Sequence, residues 1–148
     1  MPHGQIKIRR GKRTDLPVLV PLLSFPPALD TEKKYVQHWR RLASDPAHDF
    51  YVAEQHGTLQ GMVLVSYVRT LVRPGWLAIL DIAVVPLASD EISRGLIDFA
   101  KTRARKRDCQ HIIVYSSDSE QRMPLTRLLQ TGFLRAGEVL SCSLQGTP

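Results

Sequence analysis

Apolar and polar positions alternate from Gln5 to Arg10, with Ile6 and Ile8 on one side and Lys7 and Arg9 on the other, which is the period of a half-buried strand. Gly11 to Arg13 interrupts it. Thr14-Asp15 then reads as a helix start, followed at helical spacing by Leu16, Leu19, Val20 and Leu23. Pro17 suits a first turn, whereas Pro21 removes a ladder bond and predicts a kink. Phe25-Pro26-Pro27 ends the element, because residues before proline avoid helical dihedrals. A second helix starts near Asp30 or Thr31 and closes at Ser44-Asp45-Pro46, with Tyr35, Trp39 and Leu42 on one face. Core packing accounts for Tyr35 and Trp39; a place over a substrate groove is the alternative.

The pattern then changes to short β-rich runs. Asp49 to Gln55 and Leu59 to Arg69 meet at His56-Gly57, which predicts a hairpin, and Trp76 to Val85 follows the Arg73-Pro74-Gly75 turn as the third strand of an antiparallel meander. Glu91 to Lys106 has helical periodicity and Gln110 to Ser116 reads as a strand, so the crossover predicts a right-handed parallel pair. Met123 to Gln130 reads as a helix capped by Gly132, and Phe133 to Leu144 as a last strand. The order predicts one α+β domain over residues 1–148, with a mixed, mostly antiparallel sheet of about six or seven strands and helices on both faces.

Trp76 to Arg107 is the stretch best suited to bind something. A strand feeds a helix through a short polar junction, and first-turn N–H groups, lacking intrahelical partners, make an anion site there. In that junction stand Ser89, Asp90, Glu91, Ile92, Ser93 and Arg94.

Composition narrows the classes. A chain of 148 residues, 43% hydrophobic, suits one core. The charged first residues lack an apolar leader, and the longest apolar run, Leu77 to Ala88, is interrupted by Asp81 and too short to span a bilayer, so a soluble cytoplasmic protein with no membrane partner is expected. Cys109 and Cys142 lack zinc or disulfide spacing and read as buried or half-buried thiols in a reducing compartment; no metal site is expected. Net charge of +6 suits an acidic ligand. The Lys101, Arg103, Arg105, Lys106 and Arg107 cluster complements a helix end, so nucleic-acid contact is the lesser reading, and no recognition motif supports it.

Several pieces, taken in order, resemble the GNAT superfamily of acyl-CoA-dependent N-acyltransferases. IKIRRGKRTDLPVLVPLL is similar to the family's first strand and helix, and DFYVAEQHGTLQGMVLVSYV to its second and third strands, through Val52-Ala53 and Gly61 to Val65. LDIAVVP looks like the end of its fourth strand, and LLQTGFLRAGE resembles its Gly-Phe ending at Gly132 and Phe133. The resemblance implies that acetyl-CoA is a substrate, that backbone of Ile82, Ala83 and Val84 holds its pantetheine arm between splayed fourth and fifth strands, and that the following loop holds the pyrophosphate. It implies an amine acceptor, on a small molecule or a protein, and is compatible with a homodimer.

Two departures stand out. From Pro86 the loop reads Leu87, Ala88, Ser89, Asp90, Glu91, Ile92, Ser93, with no glycine, and two carboxylates stand where a diphosphate would land. A like-charge pair about 5 Å apart at an effective dielectric near 20 costs on the order of 3 kcal/mol. Ser89-Asp90-Glu91 therefore reads first as a self-sufficient helix cap and only second as a phosphate cradle. In addition, Leu128 occupies the position where many members carry a proton-donating Tyr, and Ala78 and Leu80 occupy the usual positions of a basic Glu. Asp81 is the nearest carboxylate, either the catalytic base or a buried structural group. A non-catalytic domain of the same fold, binding a partner or another small ligand, is the alternative function.

Overall fold

The computed structural model of the protein describes residues 4–15, 18, 29–115, 123 and 125–144. The helix expected from Leu16 onward, the side chains of Tyr35 and Trp39, and the loop at Ser116 to Ser119 lie outside the described residues. One sheet has the order β1-β2-β3-β4-β5. Its strands are β1 (Lys7–Arg10), β2 (His48–Gln55), β3 (Thr58–Arg69), β4 (Trp76–Val84) and β5 (Cys109–Val114), and the helices are α1 (Leu29–Ser44), α2 (Asp90–Lys106) and α3 (Leu125–Gln130). The first four strands pair antiparallel, and β4 with β5 parallel, as the α2 crossover requires.

Turn chemistry sets the register. Gln55 faces Thr58 across a two-residue loop in which His56 has φ 55° and Gly57 φ 73°, both left-handed, as a type I′ turn requires. A bulge at Ala53/Glu54 leaves Gln60 without an opposite number, and its carbonyl accepts the Val85 N–H at 2.9 Å, fastening the end of β4.

Alternation gives the sheet two apolar faces. Tyr51, Ala53, Val63, Val65, Ala78, Leu80, Ile82 and Val84 pack beneath Ile92, Leu96, Ile97 and Ala100 of α2. Phe50, Val52, Met62, Leu64 and Ala83 meet Val36 and Leu42 of α1 on the other. Helices thus cover both faces, in the α+β arrangement expected. Gly61 permits a close approach of β3 to β4 and α2: a Cβ there would lie 2.9 Å from both the Ala83 carbonyl and Leu96 Cδ1.

Two expectations need correction. Phe133 to Leu144 forms no strand, so the sheet has five strands among the described residues. Gly137, at φ 119°, breaks the extended run, and Val139 and Leu140 are both exposed, so the segment has no apolar face to lay on the sheet. Cys142 is exposed rather than buried or half-buried, whereas Cys109 is buried, which pushes its thiol pKa up. Among the described residues no helix is long and apolar enough to cross a membrane.

Candidate active site

β4 and β5 part company half-way along. Their register runs from Trp76 opposite Cys109 to Leu80 opposite Val114, and β4 continues through Val84 while β5 ends. On its other side β4 stays paired with β3, Val63 with Ile82, Met62 with Ala83 and Gly61 with Val84. The side chains of Ile82 and Val84 enter the α2 core and that of Ala83 the α1 core. Asp81 is the first β4 residue past the last pair; it is partly buried and, by alternation with Leu80 and Ile82, sits on the face away from α2.

The junction that follows is a capped helix start. Ser89 has φ −68° and ψ 158°, its Oγ accepts the Ile92 N–H at 3.4 Å, and its carbonyl accepts the N–H groups of Ile92 and Ser93. Ile92 and Ser93 are fully buried, while Asp90, Glu91 and Arg94 are exposed. Sequence reasoning missed the residue that ties them together. Arg127, on α3, donates from Nη2 to Asp90 Oδ1 at 2.6 Å and from Nη1 to Ser93 Oγ at 2.8 Å. No local pattern around Arg127 announces a contact between residues so far apart in sequence; only the packing of α3 beside α2 creates it.

Leu128, by contrast, is 1% exposed within the core beneath α2. It also lines a groove of about 600 Å³ with Ile112 to Tyr115 of β5 and its extension, Leu125 and Phe133. Tyr115 is the residue after the last paired position of β5 and is 43% exposed.

Most of the basic cluster is engaged elsewhere. Asp49 is completely buried, and Arg103 reaches it from Nη2 at 3.2 Å, Arg107 lies 3.6 Å away, and Tyr67 Oη donates to it at 2.5 Å. Burial alone would raise the Asp49 pKa, but hydrogen bonds from Tyr67 and Arg103 and the Arg107 charge outweigh it and hold the carboxyl below its ordinary value. Burial, then the adjacent carboxylate, pushes the Tyr67 phenol well up. Lys101 donates to the Thr131 carbonyl at 2.7 Å. Arg105 and Lys106 are the two exposed residues of the five. A second buried carboxylate, Asp15, is lowered by its hydrogen bonds from Arg9 against the cost of burial.

The model of the acetyltransferase (GNAT) family matches residues 18–133. The chain belongs to that family. A predicted acetyltransferase from Clostridium acetobutylicum, solved with acetyl-CoA, is 15% identical at TM-score 0.74 and covers 95% of this chain and 97% of its own. A transcriptional regulator from Bacillus halodurans is 21% identical at TM-score 0.77, covering 95% of this chain and 100% of its own. Glucosamine-6-phosphate N-acetyltransferase from Arabidopsis thaliana is 14% identical at TM-score 0.74, covering 95% and 99%. At these identities the likeness to this GNAT chain is one of fold. No curated protein matches it by sequence.

Proposed function

We propose that this GNAT chain, acting as a single domain over residues 1–148, is an acyl-CoA-dependent N-acyltransferase that moves an acetyl group from acetyl-CoA to an amine on a small molecule or a protein. The observation that carries the reading is that β4 runs on to Val84 beyond its last pair with β5, Leu80 with Val114, a stretch to which an amide-bearing arm could add its own hydrogen bonds. Ile82, Ala83 and Val84 supply those groups, and their inward-facing side chains keep the edge clear.

The diphosphate end fits by a different device from a glycine loop. Arg127 and Arg94 supply cations beside the first turn of α2, and the N–H groups of Asp90 and Glu91 precede the ones that Ser89 accepts. Arg127 offsets Asp90, so the like-charge cost is smaller than the sequence alone suggests. Bound acetyl-CoA brings a thioester, an acyl group already activated toward amines. Asp81 stands beside the parting strands to take the proton that the amine loses, and positioning supplies much of the remaining acceleration. A cytoplasmic setting follows from the acyl-CoA supply and from the free thiol of Cys109. The last place of β5 in the strand order among the described residues, and the exposed Leu134, Val139, Leu140 and Leu144, support a homodimer.

The test is titration with acetyl-CoA, followed by calorimetry and by melting temperature. Saturable binding with a Tm that rises with ligand supports the reading, since a ligand at about 100 times its Kd stabilises by roughly 2.7 kcal/mol. No shift at millimolar acetyl-CoA sinks it. A second reading, a non-catalytic domain that binds a partner, is favoured by the Ser89 cap and the Asp90–Arg127 pair, which satisfy the helix start internally. Binding of acetyl-CoA without transfer to any amine tried would decide for it.

A further inference from the structure

Four element ends meet at the edge of the sheet opposite the start of α2: β3 finishes at Arg69, β4 begins at Trp76, α2 finishes at Lys106 and β5 begins at Cys109. Trp76 lies in register between Arg69 and Cys109, and a Cβ on Gly75 would come to 3.9 Å from the Asp108 carbonyl. The β3–β4 loop and the α2–β5 turn therefore stand side by side. At the tip of that loop Leu71 is fully exposed and Val72 87% exposed, and neither joins a core. An adjacent apolar pair rimmed by cations is a contact feature, unlike a single scattered leucine.

The rim is strongly basic. Residues 69–76 and 105–111 carry Arg69, Arg73, Arg105, Lys106 and Arg107 against one carboxylate, Asp108. Arg107 is turned toward Asp49 and the Pro46 carbonyl, but the other four cations are exposed. Trp76 is 39% exposed with the Arg69 guanidinium 4.4 Å from its ring centroid, an amphipathic aromatic of the kind that favours a boundary between water and lipid. Beside it a cavity of about 180 Å³ is lined by Arg73, Gln110 and His111, whose side chains make no hydrogen bond or ion pair among the described residues.

We propose that this edge docks the protein on an anionic membrane surface. Leu71 and Val72 dip among the acyl chains, Arg69, Arg105 and Lys106 meet the surface charge, and one lipid phosphate enters the cavity at Arg73. An aliphatic tip gives nucleic acid nothing to stack on, and two side chains fall far short of the area of a stable protein interface. A lipid surface needs only a shallow apolar anchor and a basic patch, two signals that together bind reversibly. Span length, which argues against a transmembrane segment, does not bear on such a contact. The docking is independent of the transferase reading, because α2 begins at the other edge of the sheet.

Sedimentation of the whole chain with vesicles tests it. Vesicles in which phosphatidylglycerol replaces part of the phosphatidylcholine should carry the protein down, less so as salt rises, and vesicles of phosphatidylcholine alone should not. The double variant Leu71→Asp, Val72→Asp should cut the partition about tenfold or more, and Arg73→Ala about fivefold. Tm should stay as it was in both, because none of these side chains packs in a core. With Trp39→Phe leaving Trp76 as the sole indole, emission should shift to the blue on the anionic vesicles only. Absence of sedimentation with anionic vesicles overturns the proposal. So does undiminished sedimentation of the double variant, which would reduce the contact to charge alone. Release from the vesicles by inorganic phosphate at constant ionic strength would make the cavity a soluble-anion site and overturn the lipid assignment as well.

Discussion

At the carboxyl end of α2, Arg103 and Arg107 reach a carboxylate with no solvent exposure; at the amino end, Arg127 reaches one whose side chain is 72% exposed. The chemistry is the same at both ends and the consequences differ because water differs. Around Asp49 the partners are fixed: Tyr67 and two guanidinium groups satisfy a charge that cannot be solvated any other way, and Arg107 also lies over the Tyr67 ring, 4.8 Å from its centroid. Around Asp90 the partners are exchangeable, because water can replace Arg127 at little cost. One end therefore clamps the helix to the sheet, and the other leaves an arginine that a ligand can claim. The clamp holds the end of α2 that leads into β5, and the exchangeable pair lies at the end that follows β4, the carboxyl edge at which parallel strands usually receive ligands.

The largest effect is expected at the clamp. Asp49→Ala strands two guanidinium groups and a phenol over a half-polar void, and breaking a buried pair in this way costs about 3–5 kcal/mol. Chemical denaturation should show the midpoint falling with the slope unchanged. A loss under about 1 kcal/mol would put the Asp49 network on a par with an exposed pair and erase the contrast between the two ends.

The same network predicts how stability follows pH. The folded-state pKa values of Asp49 and Asp15 are lowered, so their contribution is complete above the ordinary aspartate value of about 3.9 and is lost as pH falls through the folded values. Tyr67 has a raised pKa, so its contribution is complete below the ordinary tyrosine value of about 10 and is lost as pH rises through the folded one. Melting temperature should form a plateau between these limits. Tyr67→Phe should shorten the alkaline fall and leave the Asp15 part of the acid fall intact; an identical alkaline limb in that variant would refute the assignment.

Much of this fold is legible in the sequence because it follows from local rules. Alternation gave β1, His56-Gly57 gave the hairpin, and the amphipathic run from Glu91 gave α2 to within one residue at its start. The last strand was misread because an apolar count over Phe133 to Leu144 ignores Gly137 and the absence of one apolar face. Ile82 to Val84 are named through the resemblance of LDIAVVP to the family's fourth strand, whereas the Arg127 contacts join α3 to α2 and depend on packing that no short window encodes.

The smallest expected change in stability is the most informative about ligand binding. Asp90→Asn removes an exposed pair and part of a favourable dipole interaction, terms that together amount to about 1 kcal/mol or less. If Asp90 occupies the place of an anion, the same substitution frees Arg127 and removes a like charge, so acetyl-CoA should bind several-fold more tightly. Some of that gain should fade as salt is raised, because the site is open to ions. Weaker binding in Asp90→Asn would mean that the aspartate orients Arg127 for the ligand rather than competing with it, and the amino end of α2 would then be as fixed in its partners as the carboxyl end.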